Sequence, residues 1–258
     1  MTHLIRNFVL FATMLYILSG CCSNLYYVND PVVTGSVTKK NDLNAAAGVN
    51  FGNLSSGLHG HASYAISNSL VAIGSITGYS GSCTSKNYDY ADSSINVRYL
   101  GRKIGFGAGY YRSLNNINYF EVLGGGQFGI SENKSGTENF EYRYVKYFIQ
   151  PGFYQQTENF QFGVSLRMGL MDYLNYPTGS ANEVQKISTD GPIFYIDPAI
   201  IMCMGGRMFK IGVQLSYTVS NQTTIGFTKY SIFQGSVVDD PLSISLFLRF
   251  SLPSKKQN

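Results

Sequence analysis

Charge is what this sequence most conspicuously lacks. Only 13% of its 258 residues are Asp, Glu, Lys or Arg, against roughly 25% in an ordinary soluble domain. With a mean hydropathy near zero, the polar surface must come from Ser, Asn, Thr, Gln and Tyr. The formal net charge of +4 is too small and too dispersed to argue for a nucleic-acid partner. Tryptophan is absent, and there are only 3 His and 4 Cys. No CxxC pair or Cys/His cluster has metal-site spacing, so no metal or other cofactor is expected. A membrane helix needs about 20 apolar residues, and the longest such run, Phe8 to Leu18, is roughly half that length.

That run belongs to a targeting segment. Arg6 precedes it and small residues follow, the three regions of a secretory signal over residues 1–20. The junction Leu18–Ser19–Gly20–Cys21 resembles the lipobox of bacterial lipoproteins. The resemblance implies cleavage before Cys21 and acylation of its thiol and of the new amino group. Cys22, rather than Asp, at the next position points to the outer membrane. Residues 21–42, with Pro31 and no sustained period, read as an acylated linker. Of the remaining cysteines, Cys203 falls in a strand pattern and Cys83 in a loop pattern, and a Cys22–Cys83 bridge stays open.

What the sequence has in quantity is Gly (28), Tyr (20) and Phe (17), arranged with a period of two. Phe160, Phe162, Val164, Leu166, Met168 and Leu170 alternate with Gln161, Gly163, Ser165, Arg167 and Gly169. Successive side chains of a strand leave opposite faces, so this is a strand. It is long enough to cross a bilayer at a tilt. The same alternation predicts strands over 43–51, 58–66, 70–79, 103–112, 118–130, 140–155, 193–204, 208–219 and 242–250. Ten strands is an even number, as outer-membrane barrels have. The connections 67–69, 113–117, 156–159 and 205–207 are tight, whereas 80–100, 172–191 and 220–240 are long. An up-and-down transmembrane barrel sorts its connections in this way, with short turns on the periplasmic rim. The fold class expected is therefore all-β: a closed antiparallel up-and-down transmembrane β-barrel of about ten strands over 43–250, followed by a polar tail, 251–258.

A water-soluble barrel would put the apolar faces inside. The polar faces hold glycines and ionisable groups of both signs, which suits a narrow membrane-barrel lumen. In lipid every backbone group must be paired within the sheet, so closure is the one β solution. The candidate lumen network is Glu121, Lys146, Gln150, Gln161, Arg167, Asp197, Lys210, Gln214 and Arg249. A buried charge without a partner costs several kcal/mol, so Asp197 or Glu121 should pair with a neighbouring Arg or Lys.

Five stretches carry a family resemblance: Tyr147–Phe148–Ile149–Gln150–Pro151–Gly152, Phe160 through Arg167, Ile196–Asp197–Pro198–Ala199, Leu246–Phe247–Leu248–Arg249–Phe250 and Ala65–Ile66–Ser67–Asn68. Through them the chain resembles the uncharacterised outer-membrane β-barrel lipoproteins of Bacteroidetes. The resemblance implies a signal peptide, a lipid anchor and a barrel, and supplies no activity. Chains of that family commonly end at the terminal aromatic, whereas here residues 251–258 follow Phe250.

No catalytic motif stands out. His59 and His61 share a face near Ser63, but a hydrolase needs an imidazole oriented onto a nucleophile, and the spacing alone reads as lumen packing. The sequons at Asn53, Asn133 and Asn221 read as chance in an Asn-, Ser- and Thr-rich chain. A ten-strand barrel is narrow and is filled by side chains, which argues against a wide pore. Outer connections on a rigid scaffold commonly bind, and Tyr88, Tyr90, Tyr173 and Tyr176 suit contact with a surface glycan or protein, or an interfacial girdle. The expected partners are outer-membrane lipid and the barrel-assembly machinery during biogenesis, with no nucleic acid. A structural or loop-mediated binding role leads; a narrow small-solute channel and an envelope lipid hydrolase are the rivals.

Overall fold

The computed structural model describes residues 27–28, 37, 39–52, 55–86, 94–135, 138–175, 192–220, 227–228, 231–232, 238–240 and 242–252. Ten long strands build the barrel: β1 (Leu43–Gly52), β2 (Ser55–Ala65), β3 (Leu70–Lys86), β4 (Ser94–Ser113) and β5 (Asn118–Ser135). They continue as β6 (Glu138–Gln156), β7 (Phe160–Asn175), β8 (Ile193–Gly205), β9 (Phe209–Tyr217) and β10 (Leu242–Leu252). Val219–Ser220 carries β9 on beside β8 after a break at Thr218. Each strand pairs antiparallel with the next, and β10 pairs with both β9 and β1, so the sheet closes without a free edge.

The registers set the girth. Followed from Ser245 through Asn50, Gly57, Tyr79 and Gly101, the paired row reaches β5 at Ser131. Followed the other way, through Gln214, Ile201, Gly163 and Tyr154, it reaches β5 at Tyr119, twelve residues away. A shear of that size on ten strands tilts them by about 40° and gives a Cα radius of roughly 10 Å. Inward side chains fill such a cylinder.

The strand alternation predicted from sequence sorts the faces. Leu58, Ile76, Phe106, Tyr147, Ile149 and Ile211 point outward and are more than half exposed, forming an apolar band with the rest of the outer surface. Tyr64, Tyr110, Phe120, Phe153, Phe209 and Phe250 ring its short-turn edge, at the level where amphipathic rings meet the bilayer interface. The tight connections 66–69, 114–117, 157–159 and 206–208 all lie on this rim. Gly205 takes φ +143 to make the last of them, and a Cβ there would overlap the Phe209 carbonyl.

Two expected loops are mostly strand. The chain pairs without interruption from Leu70↔Tyr110 up to Lys86↔Ser94, leaving only 87–93 as the connection where 80–100 was expected. Likewise β5 and β6 pair to Ser135↔Glu138 through the stretch expected to be loop. The cause is the solvent. About ten residues at this tilt span a roughly 25 Å apolar band. Strands that continue above it have no lipid on their outer face, so the hydrophobic period vanishes while the hydrogen-bonded ladder continues.

Candidate functional site in the barrel lumen

All the candidate lumen residues point inward and are at most 5% exposed. Half-way up, Asp197 of β8 stands opposite Arg167 of β7 in register. Lys146 donates from Nζ to Asp197 Oδ2 at 3.4 Å, and Arg167 Nη1 lies 3.9 Å from the same oxygen. All three side chains are fully buried. Arg167 Nε also donates to Gln150 Oε1 at 3.2 Å. The cations rest on rings as well, with Lys146 Nζ 3.7 Å from the Tyr195 centroid and the Arg167 guanidinium 5.3 Å from that of Phe148. One carboxylate thus holds two buried cations, and each cation has a second, polarisable neighbour.

Nearer the short-turn rim, Tyr119 and Tyr154 stack at 5.0 Å. Gln161 Nε2 donates to the Tyr119 hydroxyl at 2.6 Å, and Arg249 Nη1 donates to Gln161 Oε1. Glu121 is fully buried beside the Tyr154 phenol, and Gln214 is buried on β9. Lys210 Nζ reaches down to the Thr157 carbonyl at 3.1 Å. Below it a cavity of about 830 Å³ opens at the rim, lined by Val37, Tyr119, Glu158, Arg207, Lys210 and the residues of the 115–118 turn.

His59 and His61 stack 6.4 Å apart at 9°, and both meet Phe247 at 6.4 Å, steeply inclined. The rings pack as aromatics, and Ser63 is buried on the same strand face. Among the described residues no group of three or more His, Cys, Asp or Glu could hold a metal ion.

Sequence reasoning missed how tyrosine and glycine are used together. Tyr79 faces Gly101, Tyr144 faces Gly129, Tyr154 faces Gly163 and Tyr195 faces Gly169 in cross-strand register. In each case a Cβ on the glycine would overlap the ring. Phe247 does the same over Gly212, while on its other flank a Cβ on Gly48 would overlap the Leu246 carbonyl and the Phe247 Cβ. The rings lie flat on the inner wall over the glycine gaps, covering backbone that a side chain would otherwise shield. Inward-facing glycines were visible in the alternation. Their partners were not, because register is not written in any one strand.

Tyr173 was expected in a loop. The structure places it inside β7, 8% exposed, with its ring 6.4 Å from Tyr142 and 6.0 Å from Tyr144. Tyr88, Tyr90 and Tyr176, with Cys21, lie outside the described residues.

A closed antiparallel barrel, an apolar outer band, an aromatic rim and a polar, charge-bearing interior define the class: this is a transmembrane β-barrel of outer-membrane type. No family model matches the chain. No curated protein matches it either. Solved structures of similar shape include an outer membrane channel from Pseudomonas putida F1, at 9% identity and TM-score 0.44, covering 87% of this chain and 100% of that one. The transport unit of the autotransporter AIDA-I from Escherichia coli covers 87% of this chain and 93% of its own, at 10% identity and TM-score 0.42. The outer membrane protease OmpT from Escherichia coli covers 81% and 90%, at 8% identity and TM-score 0.39. Likeness at this level concerns barrel shape alone.

Proposed function

We propose that the chain is a non-catalytic outer-membrane barrel, anchored by lipid through Cys21, with a closed lumen and outer connections that bind a surface glycan or protein. On this reading residues 1–20 are removed, 21–42 tether the barrel, 43–250 form it and 251–258 trail from it. It joins the outer-membrane β-barrel lipoproteins of Bacteroidetes, with membrane lipid and the barrel-assembly machinery as its general partners. The observation that carries the closed lumen is the Lys146–Asp197–Arg167 cluster, fully buried half-way along the bore. An open pore would wet these side chains, and a barrel of this girth leaves no second path.

Conductance of the full folded chain in planar bilayers tests the reading. Silence is expected. Regular conductance steps would overturn it in favour of a small-solute channel, the reading that the 830 Å³ cavity at the periplasmic rim favours. Palmitate incorporation tests the anchor, and it should vanish in Cys21→Ala.

A further inference from the structure

The outer wall carries a groove across the upper part of β1–β5. A cavity of about 630 Å³ lies there, walled by Phe51 and Leu58 on one side and by Leu100 and Arg102 on the other. Register builds it. Leu58, Gly78 and Arg102 stand side by side on β2, β3 and β4, and Ser56, Ser80 and Leu100 do the same in the next outward row. Strand alternation turns all six towards the outside. The small residues of β3 therefore leave a trough between two taller, mostly apolar walls. The fold does not require the trough, since a Cβ on Gly78 would meet nothing nearer than the Gly101 carbonyl oxygen, at 4.0 Å.

Cations gather at the upper end of this groove. Arg98 of β4 stands directly opposite Lys134 of β5, and both are exposed. Like charges opposed across a ladder destabilise the sheet, so the pair is suited to an anion supplied from outside. Arg102, on the same face of β4, lines the groove itself. The described carboxylates of this patch are Glu132, which also lines the groove, and Glu141, whose Oε1 lies 2.7 Å from Arg143 Nε. Arg98, Arg102, Lys134 and Arg143 thus outnumber the acids. We propose that the groove seats an acyl chain of a membrane lipid whose phosphate group is held by Arg98, Arg102 and Lys134.

The heights fit a lipid. At the barrel's tilt each residue advances about 2.5 Å along the axis. Counted up β4 from Tyr110, in the aromatic ring of the short-turn edge, Arg102 stands about 20 Å above it and Arg98 about 30 Å. The two straddle the upper limit of a roughly 25 Å apolar band, the level at which headgroup phosphates begin. The stagger of the sheet makes each paired row climb by about 3 Å a strand from β1 towards β5. The groove therefore slopes from Arg102 down to Val49, about 9 Å deeper in the band, with Leu58 and Val49 along it in register. A free anion would use the charges and leave the apolar slope empty; a lipid uses both. The site needs only the transmembrane barrel, in either orientation, so a conducting lumen or a missing anchor would leave it standing.

The chain has no tryptophan, so one added indole reports on its own surroundings. The full chain carrying Phe51→Trp, on the groove wall, is folded into phosphatidylcholine vesicles. A fixed fraction of the lipid has brominated chains, as either phosphatidic acid or phosphatidylcholine. Bromine quenches the indole on contact, and both leaflets hold the same lipids, so either direction of insertion reads alike. Quenching should report an enrichment of phosphatidic acid of about five-fold, the worth of one Lys or Arg beside an anionic membrane surface. Phe194→Trp, on the outer face of β8, should report none. The enrichment should vanish when Arg98, Arg102 and Lys134 are all changed to Gln. It should vanish equally in Gly78→Leu, which fills the trough and keeps the charges. Equal quenching by the two lipids at Phe51→Trp overturns the site with no further substitution. Enrichment that survives Gly78→Leu overturns the seated chain and leaves charge attraction alone. Quenching that falls as the protein is concentrated gives the groove to a second copy, and overturns the lipid as well.

Discussion

The barrel has a tall wall and a short one, and they are built on different rules. Strands β3–β7 run for 16 to 20 residues, while β8–β10, β1 and β2 run for 9 to 13. The short wall matches the bilayer. Its outward residues on β8–β10, such as Ile200, Met202, Ile211, Leu246 and Leu248, are apolar from end to end. The tall wall rises past the lipid, and its upper outward face turns to Arg98, Arg102, Lys134, Glu141 and Arg143. Above the membrane its inner face carries buried Tyr79, Tyr99, Tyr142, Tyr144 and Tyr173. The difference shows that outer-face hydrophobicity reports where lipid ends, whereas strand pairing reports where the sheet ends. The two limits coincide on the short wall alone.

The buried ion cluster joins the walls, since Asp197 is on β8 and its cations are on β6 and β7. Asp197→Ala leaves Lys146 and Arg167 buried without their carboxylate. It should cost about 3–5 kcal/mol, read as a lowered denaturant midpoint for the barrel refolded in detergent. An unchanged midpoint would mean that the lumen is wetter than its packing indicates.

Charge placed on the outer face should separate the walls directly. Leu246→Arg on mid-β10 faces the centre of the bilayer and should cost about 2–4 kcal/mol, whereas Leu100→Arg, between Arg98 and Arg102, should cost about 0–1 kcal/mol. Equal penalties in lipid vesicles would remove the height difference as an explanation of the sequence.

The tyrosine–glycine pairs predict a smaller, conditional effect. Gly129→Ala pushes into the Tyr144 ring and should cost about 1–3 kcal/mol as overpacking. In a Tyr144→Ala background most of that penalty should disappear, and a double-mutant cycle showing simple additivity would argue against the pairing. At the small end, the Arg143–Glu141 pair is 2.7 Å long but 54% and 42% exposed. Glu141→Gln should move stability by no more than about 0.5 kcal/mol, because water already solvates both groups.

Where the strands cross lipid, the chain was legible. Phe160 through Leu170 alternates because one face meets hydrocarbon and the other the lumen, and the structure keeps that division from Phe160 to Arg167, with Met168 and Gly169 both half-buried. Arg167 and Asp197 could be assigned to the interior for the same reason. Reading failed at Ser80–Lys86 and at Tyr173, where strands continue in water and the outward residues are free to be polar. It also failed at Val37, one of several valines in a tether with no periodicity to mark it as core.

The sequence by itself determined the strand alternation, the faces the strands present and the rim on which the chain turns tightly, because these follow from local alternation and from glycine, asparagine and serine at the turns. Only the tertiary structure decided the twelve-residue stagger of the closed sheet, the seat of each aromatic ring on a glycine of the next strand, the meeting of Asp197 with Lys146 and Arg167, and the burial of Val37. Each of these depends on register between strands, and register is settled when all ten strands close around one shared interior.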